Sequence, residues 1–174
     1  MSRRLIIDGH NLLLGAPRFA ADVARDLDSA RDRLIAELGA RAADGQDVTV
    51  VFDGARNPFS DGEPRRVGGI TVIYSPAGTD ADSVIESLAS TAREAGEETE
   101  VVTSDAATRW TSLGGTVIVT RASTFAEELA ADDRAWRAEG HEGARARATV
   151  SDRLGGDVRS RLDDLAGRRR LPPR

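Results

Sequence analysis

Cysteine and lysine are both absent from this 174-residue sequence, and histidine occurs only as His10 and His141. Without cysteine the chain can form no disulfide, thiol nucleophile or zinc–thiolate site, which predicts a protein of the reducing cytoplasm. With so few histidines, a zinc motif built on paired histidines is excluded as well. Any metal site must therefore be built mainly from carboxylates, which the sequence has in 29 residues.

Long apolar runs are also missing. None approaches the roughly 18 to 20 residues that a membrane helix requires, and the three apolar residues between Arg4 and Asp8 are too few for the core of a secretory signal. Hydrophobic residues still make up 40% of the chain and charged residues 30%, as in a globular protein. We expect one folded domain of ordinary size with an appendage, and no membrane partner.

The charge is distributed unevenly along the chain. All 24 basic residues are arginine. Residues 1–133 carry 13 of them against 23 acidic residues, whereas residues 134–174 carry 11 against 6. We predict a domain over residues 1–138 and a basic helical extension over residues 139–174. Two interpretations of the extension stay open, because it can bind a polyanion or simply form a solvated helix.

Short apolar runs alternate with helical patterns, which predicts an α/β fold with a central, mostly parallel sheet of about five strands. The predicted strands cover residues 5–7, 48–52, 70–74, 100–103 and 116–119. The predicted helices cover residues 28–43, 80–95 and 123–137, with a short helix around Trp110. Residues 54–69 contain Gly, Pro and Ser without periodicity and are predicted as a long loop, a kind that is often functional.

Aspartates stand where the predicted strands end. Asp8 closes the first strand, Asp53 follows the second, Asp80 and Asp82 open the helix after the third, and Asp105 follows the fourth. Because the carboxyl ends of parallel strands share one edge of a sheet, we expect these acids to meet at one crevice. Packed carboxylates repel one another, and oxygen ligands suit a hard divalent cation, so the pattern predicts bound Mg²⁺ or Mn²⁺.

Each of these residues also has a simpler interpretation. Aspartate is common at helix N-caps and in turns after strands, and we interpret Asp80 as a cap. Asn11 can orient a ligand or bond a loop backbone, and both interpretations stay open. We interpret His10 as a packing or loop residue and Glu86 as part of a solvated helix face.

Several catalytic motifs are missing. The sequence has no GxGxxG, GxxxxGK[ST] or GxSxG motif, so neither dinucleotide binding, P-loop binding nor a serine-hydrolase elbow is supported. The haloacid-dehalogenase pattern needs a second aspartate at the position of His10. Receiver-like phosphoacceptor domains need an active-site lysine, which this chain lacks.

An ordered set of motifs runs through residues 3–133: LIIDGHNLL, ARDRLIAEL, VVFDG, TDADSVIESL and VVTSD. Together they resemble the bacterial YacP-like NYN-domain proteins, a branch of the PIN-like nucleases. This resemblance implies a PIN-like three-layer α/β/α fold, divalent metal held by aspartates and endonucleolytic cleavage of RNA. One branch of this family acts on ribosome-associated messenger RNA, which makes such RNA a candidate substrate by resemblance. The site residues carried over by position are Asp8, Asn11, Asp53, Asp82 and Asp105.

We therefore predict a cytoplasmic, metal-dependent endoribonuclease that cleaves single-stranded RNA, with the ribosome as a candidate partner. Asp8, Asp82 and Asp105 would be catalytic and hold Mg²⁺ or Mn²⁺, and Asp53 would complete the metal site. Asn11 would position the substrate, together with three arginines that are otherwise part of a solvated loop: Arg56, Arg65 and Arg66. A catalytically silent RNA-binding module and a small phosphate-ester hydrolase are the alternatives. The number of ions and the oligomeric state stay open.

Overall fold

A computed structural model of the chain describes residues 3–43, 45–54, 60–104, 117–135 and 138. The chain divides into two compact units, residues 1–129 and 130–174. All the strands described below belong to the first unit, and in the second only residues 130–135 and 138 are described. The domain boundary predicted between residues 138 and 139 therefore stays a prediction.

In the described part of the chain, six strands form one mixed sheet. They are β1 (Arg4–Asp8), β2 (Asp47–Phe52), β3 (Arg65–Val67), β4 (Ile70–Tyr74), β5 (Thr99–Thr103) and β6 (Val117–Arg121). Their order across the sheet is β3-β4-β2-β1-β5-β6. Every neighbouring pair is parallel except β3 and β4, which are antiparallel. The predicted α/β fold with a mostly parallel sheet is therefore confirmed.

Among the described residues the sheet has one strand more than the roughly five predicted. The additional strand, β3, lies inside the predicted loop 54–69 and pairs with β4 across Gly68 and Gly69. Both glycines have positive φ, 57° and 87°, as a two-residue turn between antiparallel strands requires. The strand has only three residues, all exposed, and so carries no apolar run.

Helices cover both faces of the sheet in the described part of the chain. One face of the sheet is covered, within the described ranges, by four helices and a 3₁₀ turn. In chain order these are α1 (Gly9–Gly15), the 3₁₀ turn (Pro17–Phe19), α2 (Ala20–Arg25), α3 (Leu27–Ala43) and α5 (residues 122–135). Buried residues of α1, the turn, α3 and α5 share one apolar core with the sheet. On the other face α4 (Ala81–Glu94) packs Ile85 and Ala89 against Ile6, Val51 and Val101. This arrangement is the predicted three-layer fold.

The central strand explains why the crevice lies where it does. Leu5, Ile6 and Ile7 in β1 are fully buried, because helices cover both faces of the sheet there. Strand β1 pairs in parallel with β2 on one side and β5 on the other. The carboxyl ends of these three strands consequently open on the same edge. None of the helices in the described part of the chain is long and apolar enough to cross a membrane.

Candidate active site

A crevice of about 450 Å³ opens at the carboxyl edge of the sheet. The side chains come from the ends of β1, β2 and β5 and from the beginnings of α1 and α4. Its lining residues are Asp8, His10, Asn11, Asp53, Asp80, Ala81, Asp82 and Ser104. Four of these eight are aspartates, and none of the described lining residues is an arginine. The described wall of the crevice is therefore strongly acidic.

Asp8 is the buried centre of this wall, with 3% of its surface exposed. It is the last residue of β1 and also the N-cap of α1, where Oδ1 accepts a hydrogen bond from the Asn11 backbone N–H at 2.9 Å. The Asn11 side chain donates its Nδ2 to Asp8 Oδ2 at 2.7 Å and to Thr103 Oγ1, at the end of β5, at 3.3 Å. Asn11 thereby fixes the rotation of the Asp8 carboxylate and joins β1 to β5.

Burial raises the pKa of the Asp8 carboxyl above its ordinary value of 3.8. The hydrogen bond from the Asn11 backbone opposes this rise, the negative charge of Asp82 adds to it, and the charge of His10 lowers the pKa again. Ionised Asp8 is therefore costly in the protein alone. A cation beside it would stabilise the charged form.

The other three aspartates reach the crevice from elements distant in sequence. Asp53 is exposed and follows β2, whereas Asp82 is half-buried in the first turn of α4. Asp80 caps α4, because its Oδ1 accepts from the Ser83 backbone N–H at 2.8 Å, and this confirms the interpretation of Asp80 as a cap. Asp80 also lines the crevice, so one carboxylate serves the helix and adds to the acidic wall.

Comparison with protein families and with solved structures gives a common result. The model of the YacP-like NYN domain matches residues 5–167. The chain belongs to this family. A crystal structure of a tryptophan-to-leucine mutant of Rae1 (YacP) from Bacillus subtilis is 24% identical, with a TM-score of 0.66, and the match covers 94% of this chain and 99% of that one.

A second crystal structure of Bacillus subtilis Rae1 (YacP) is 21% identical, with a TM-score of 0.64 and 95% of each chain covered. These likenesses are evidence for the fold. No curated protein matches the chain. The family match runs further than the motifs quoted from the sequence, since it includes residues 139–167 of the predicted basic extension.

Four of the residues predicted for the site of this YacP-like NYN domain line the crevice together: Asp8, Asn11, Asp53 and Asp82. Asp105 and Arg56 lie outside the described residues. Arg65 and Arg66 are exposed on β3 and are not among the lining residues. The side chain of Arg65 pairs with Asp61 at 2.8 Å, and that of Arg66 donates to Thr71 Oγ1 at 3.1 Å.

Among the polar lining residues, sequence reasoning missed two, His10 and Ser104. His10 lines the crevice from the first turn of α1, and its buried Nδ1 has no hydrogen-bond partner among the described residues, so the interpretation as a packing or loop residue was incomplete. Ser104 follows β5 directly. The signal for both is position, because each stands within two residues of a strand end that faces the crevice.

The donor set fits a hard divalent cation in its chemistry. Carboxylate oxygens are the preferred protein ligands of Mg²⁺ and Mn²⁺, and the crevice contains four aspartates, of which Asp8 is a buried carboxyl whose pKa is raised by burial. Within the described residues, which leave out Asp105, no three acids or histidines lie close enough together to hold one ion. The described residues alone therefore do not form a three-ligand site.

Proposed function

We propose that this chain is a metal-dependent endoribonuclease that cleaves single-stranded RNA. The proposal rests on one observation above all: a YacP-like NYN domain carries an acidic crevice at the carboxyl edge of its sheet. Membership of this PIN-like family supports a ribonuclease-type function. Metal dependence, the single-stranded substrate and the residues that carry the reaction belong to the proposal.

Asp8, Asp82 and Asp105 would hold Mg²⁺ or Mn²⁺, with Asp53 completing the site. When bound, such an ion polarises a phosphoryl oxygen and lowers the pKa of a bound water. Asn11 orients Asp8 through its two hydrogen bonds. The acidic wall repels phosphate, so productive binding of RNA needs both the cation and a basic surface elsewhere.

Arg65 and Arg66 are candidates for that basic surface, with Arg56 as a third. Strand β3 lies beside β4, and Arg65 is opposite Val72, in the middle of β4. Arg65 is paired with Asp61, but both side chains are largely exposed, and such surface pairs contribute little to stability. A phosphate can therefore displace Asp61 at little cost. Arginine contacts of this kind position RNA without reading its sequence.

A cleavage assay with a labelled single-stranded RNA in Mg²⁺, Mn²⁺ or EDTA tests the proposal. We expect cleavage with either metal, none in EDTA, and none from Asp82→Asn. Asp47→Asn is the matched control, since Asp47 lies at the opposite, amino end of β2 and pairs with Arg4. The same loss of charge there should leave cleavage intact. Full activity in EDTA would refute metal dependence.

One observation favours a second function, that of a catalytically silent RNA-binding module. The described residues alone do not assemble three metal ligands around one point. RNA binding without cleavage under every metal condition would establish this alternative. A chromogenic phosphate monoester in the same assay tests for a small phosphate-ester hydrolase. Ribosome association and the cytoplasmic location stay predictions.

A further inference from the structure

Ser75 is a fully buried polar residue that directly follows β4. Its backbone N–H donates to the Phe52 carbonyl at 2.9 Å, and its hydroxyl accepts from the Gly54 backbone N–H at 2.9 Å. Phe52 and Gly54 are the two chain neighbours of Asp53. One residue at the end of β4 therefore holds the backbone on both sides of an aspartate that lines the crevice.

The residues around Gly54 leave its backbone little room to move. A Cβ added to Gly54 would lie 2.4 Å from both Ser60 Oγ and the Ser75 carbonyl oxygen, so only glycine fits there. Gly54 is buried, and a buried amide needs an acceptor. The Ser75 hydroxyl supplies that acceptor. Ser60 also packs beside Gly54, and its hydroxyl donates to the Ser75 carbonyl at 2.8 Å.

We propose that Ser75 is a positioning residue for the metal site, which acts by fixing the backbone of Asp53 at the crevice. This inference rests on the proposed function. The Asp53 side chain is exposed while its two neighbours are buried, so the backbone that Ser75 holds sets where this side chain leaves the chain. Loss of the Ser75 hydroxyl would release Gly54 and let the Asp53 carboxylate move away from the ion. Partners that orient metal ligands typically change affinity about 10- to 100-fold when removed.

The test measures Mn²⁺ affinity, from the rise in melting temperature with Mn²⁺, in wild type, Ser75→Ala, Asp53→Asn and the double variant. We expect Ser75→Ala to weaken Mn²⁺ binding on the order of 10-fold. The double variant should bind like Asp53→Asn alone, because residues that act through one another are not additive. Ser75→Thr, which keeps an acceptor oxygen, should restore affinity.

Thr99→Val is the matched control. Thr99 is also fully buried, its hydroxyl donates to the Glu97 carbonyl at 3.3 Å, and it lies at the opposite, amino end of β5. This variant should lower the melting temperature without changing Mn²⁺ affinity. A Ser75→Ala protein that melts earlier but binds Mn²⁺ like wild type would show that Ser75 only stabilises the fold. Multiplicative effects in the double variant, or wild-type affinity in Asp53→Asn, would also overturn the inference.

Two further outcomes are distinguishable. If the melting temperature of wild type does not rise with Mn²⁺, both the proposed function and this inference are wrong. If wild type responds, Asp53→Asn weakens the response and Ser75→Ala does not, only the inference fails. Should Ser75→Ala not fold, Ser75→Cys replaces the hydroxyl by a thiol, which is somewhat larger and a weaker acceptor. Its Mn²⁺ affinity must then fall below that of wild type.

Discussion

Replacing Asp82 by asparagine separates the metal site from the fold. The substitution keeps the size of the side chain and removes one negative charge from the crevice. Two effects on stability oppose each other in the absence of metal. Relief of the repulsion that half-buried Asp82 exerts on the other aspartates of the crevice is worth about 0.2–1 kcal/mol. Asp82 also lies in the first turn of α4, where a negative charge interacts with the helix dipole by about 0.3–1 kcal/mol.

These two contributions nearly cancel, so the free energy of unfolding in EDTA should change by less than about 1 kcal/mol. For a chain of this length that is at most about 2–4 °C in melting temperature. With Mn²⁺ the result differs, because wild type gains stability from the ion and the variant loses a ligand. The variant should therefore melt like wild type in EDTA and below it in Mn²⁺.

The pKa of Asp8 provides a second measurement. Burial, with the charge of Asp82 as a lesser cause, raises this pKa above 3.8. Because the pKa is higher in the folded chain, Asp8 stabilises the fold most below about pH 3.8, and this stabilisation is lost as the pH rises through the raised pKa. In Asp82→Asn the pKa should move down toward 3.8. Titration of the Asp8 carboxyl by carbon-13 NMR in EDTA checks this shift.

The cleavage assay tests directly whether Asp82 belongs to the active site. Asp82→Asn should leave no detectable product from labelled RNA in Mn²⁺, while Asp47→Asn should cut at the wild-type rate. If Asp82→Asn cuts RNA as fast as wild type, Asp82 is only a first-turn residue of α4 and the proposed site is wrong. An unchanged pKa of Asp8 would refute the electrostatic reasoning separately.

Three other predictions follow from the same crevice and from the charge of the chain. Saturating Mn²⁺ should raise the melting temperature, since a ligand at about 100 times its Kd adds about 2.7 kcal/mol, and identical curves in EDTA and millimolar Mn²⁺ would contradict a metal site. Asn11→Ala should lower the cleavage rate on the order of 10-fold by freeing the Asp8 carboxylate, and a wild-type rate would limit Asn11 to capping. Truncation at Gly140 should weaken RNA binding and flatten its salt dependence, by a slope of about 0.7 per lost phosphate contact. Unchanged binding with a large fall in melting temperature would contradict a role for the extension in RNA affinity.

Strands in the centre of the sheet could be predicted because both their faces are covered. The run at residues 48–52 became β2, Asp47–Phe52, and the run at residues 70–74 became β4 without change. The prediction of a loop over the edge strand β3 was wrong, since its three exposed residues owe their conformation to pairing with β4. The Gly68-Gly69 pair between Val67 and Ile70 is a hairpin signal that would have located it.

The crevice could be predicted only in part. The rule that parallel strands share a carboxyl edge correctly brings Asp8, Asp53 and Asp82 to one place. It says nothing of the contacts that hold those side chains. The bond from Asn11 to Thr103 joins residues 92 apart, and the bond from Gly54 to Ser75 joins residues 21 apart. Such contacts depend on the register of neighbouring strands, which local patterns do not contain.

His10 shows how the start of a helix changes the interpretation of a residue. In the sequence it follows an Asp-Gly pair, which is typical of a turn, and nothing distinguishes it from a loop residue. In the structure α1 begins at Gly9, with no connecting residue after β1, and the first turn of the helix therefore faces the crevice. Asp8, His10 and Asn11 form a single continuous wall for this reason. A substitution at His10 consequently acts on the surroundings of Asp8, whose pKa the charge of His10 already lowers.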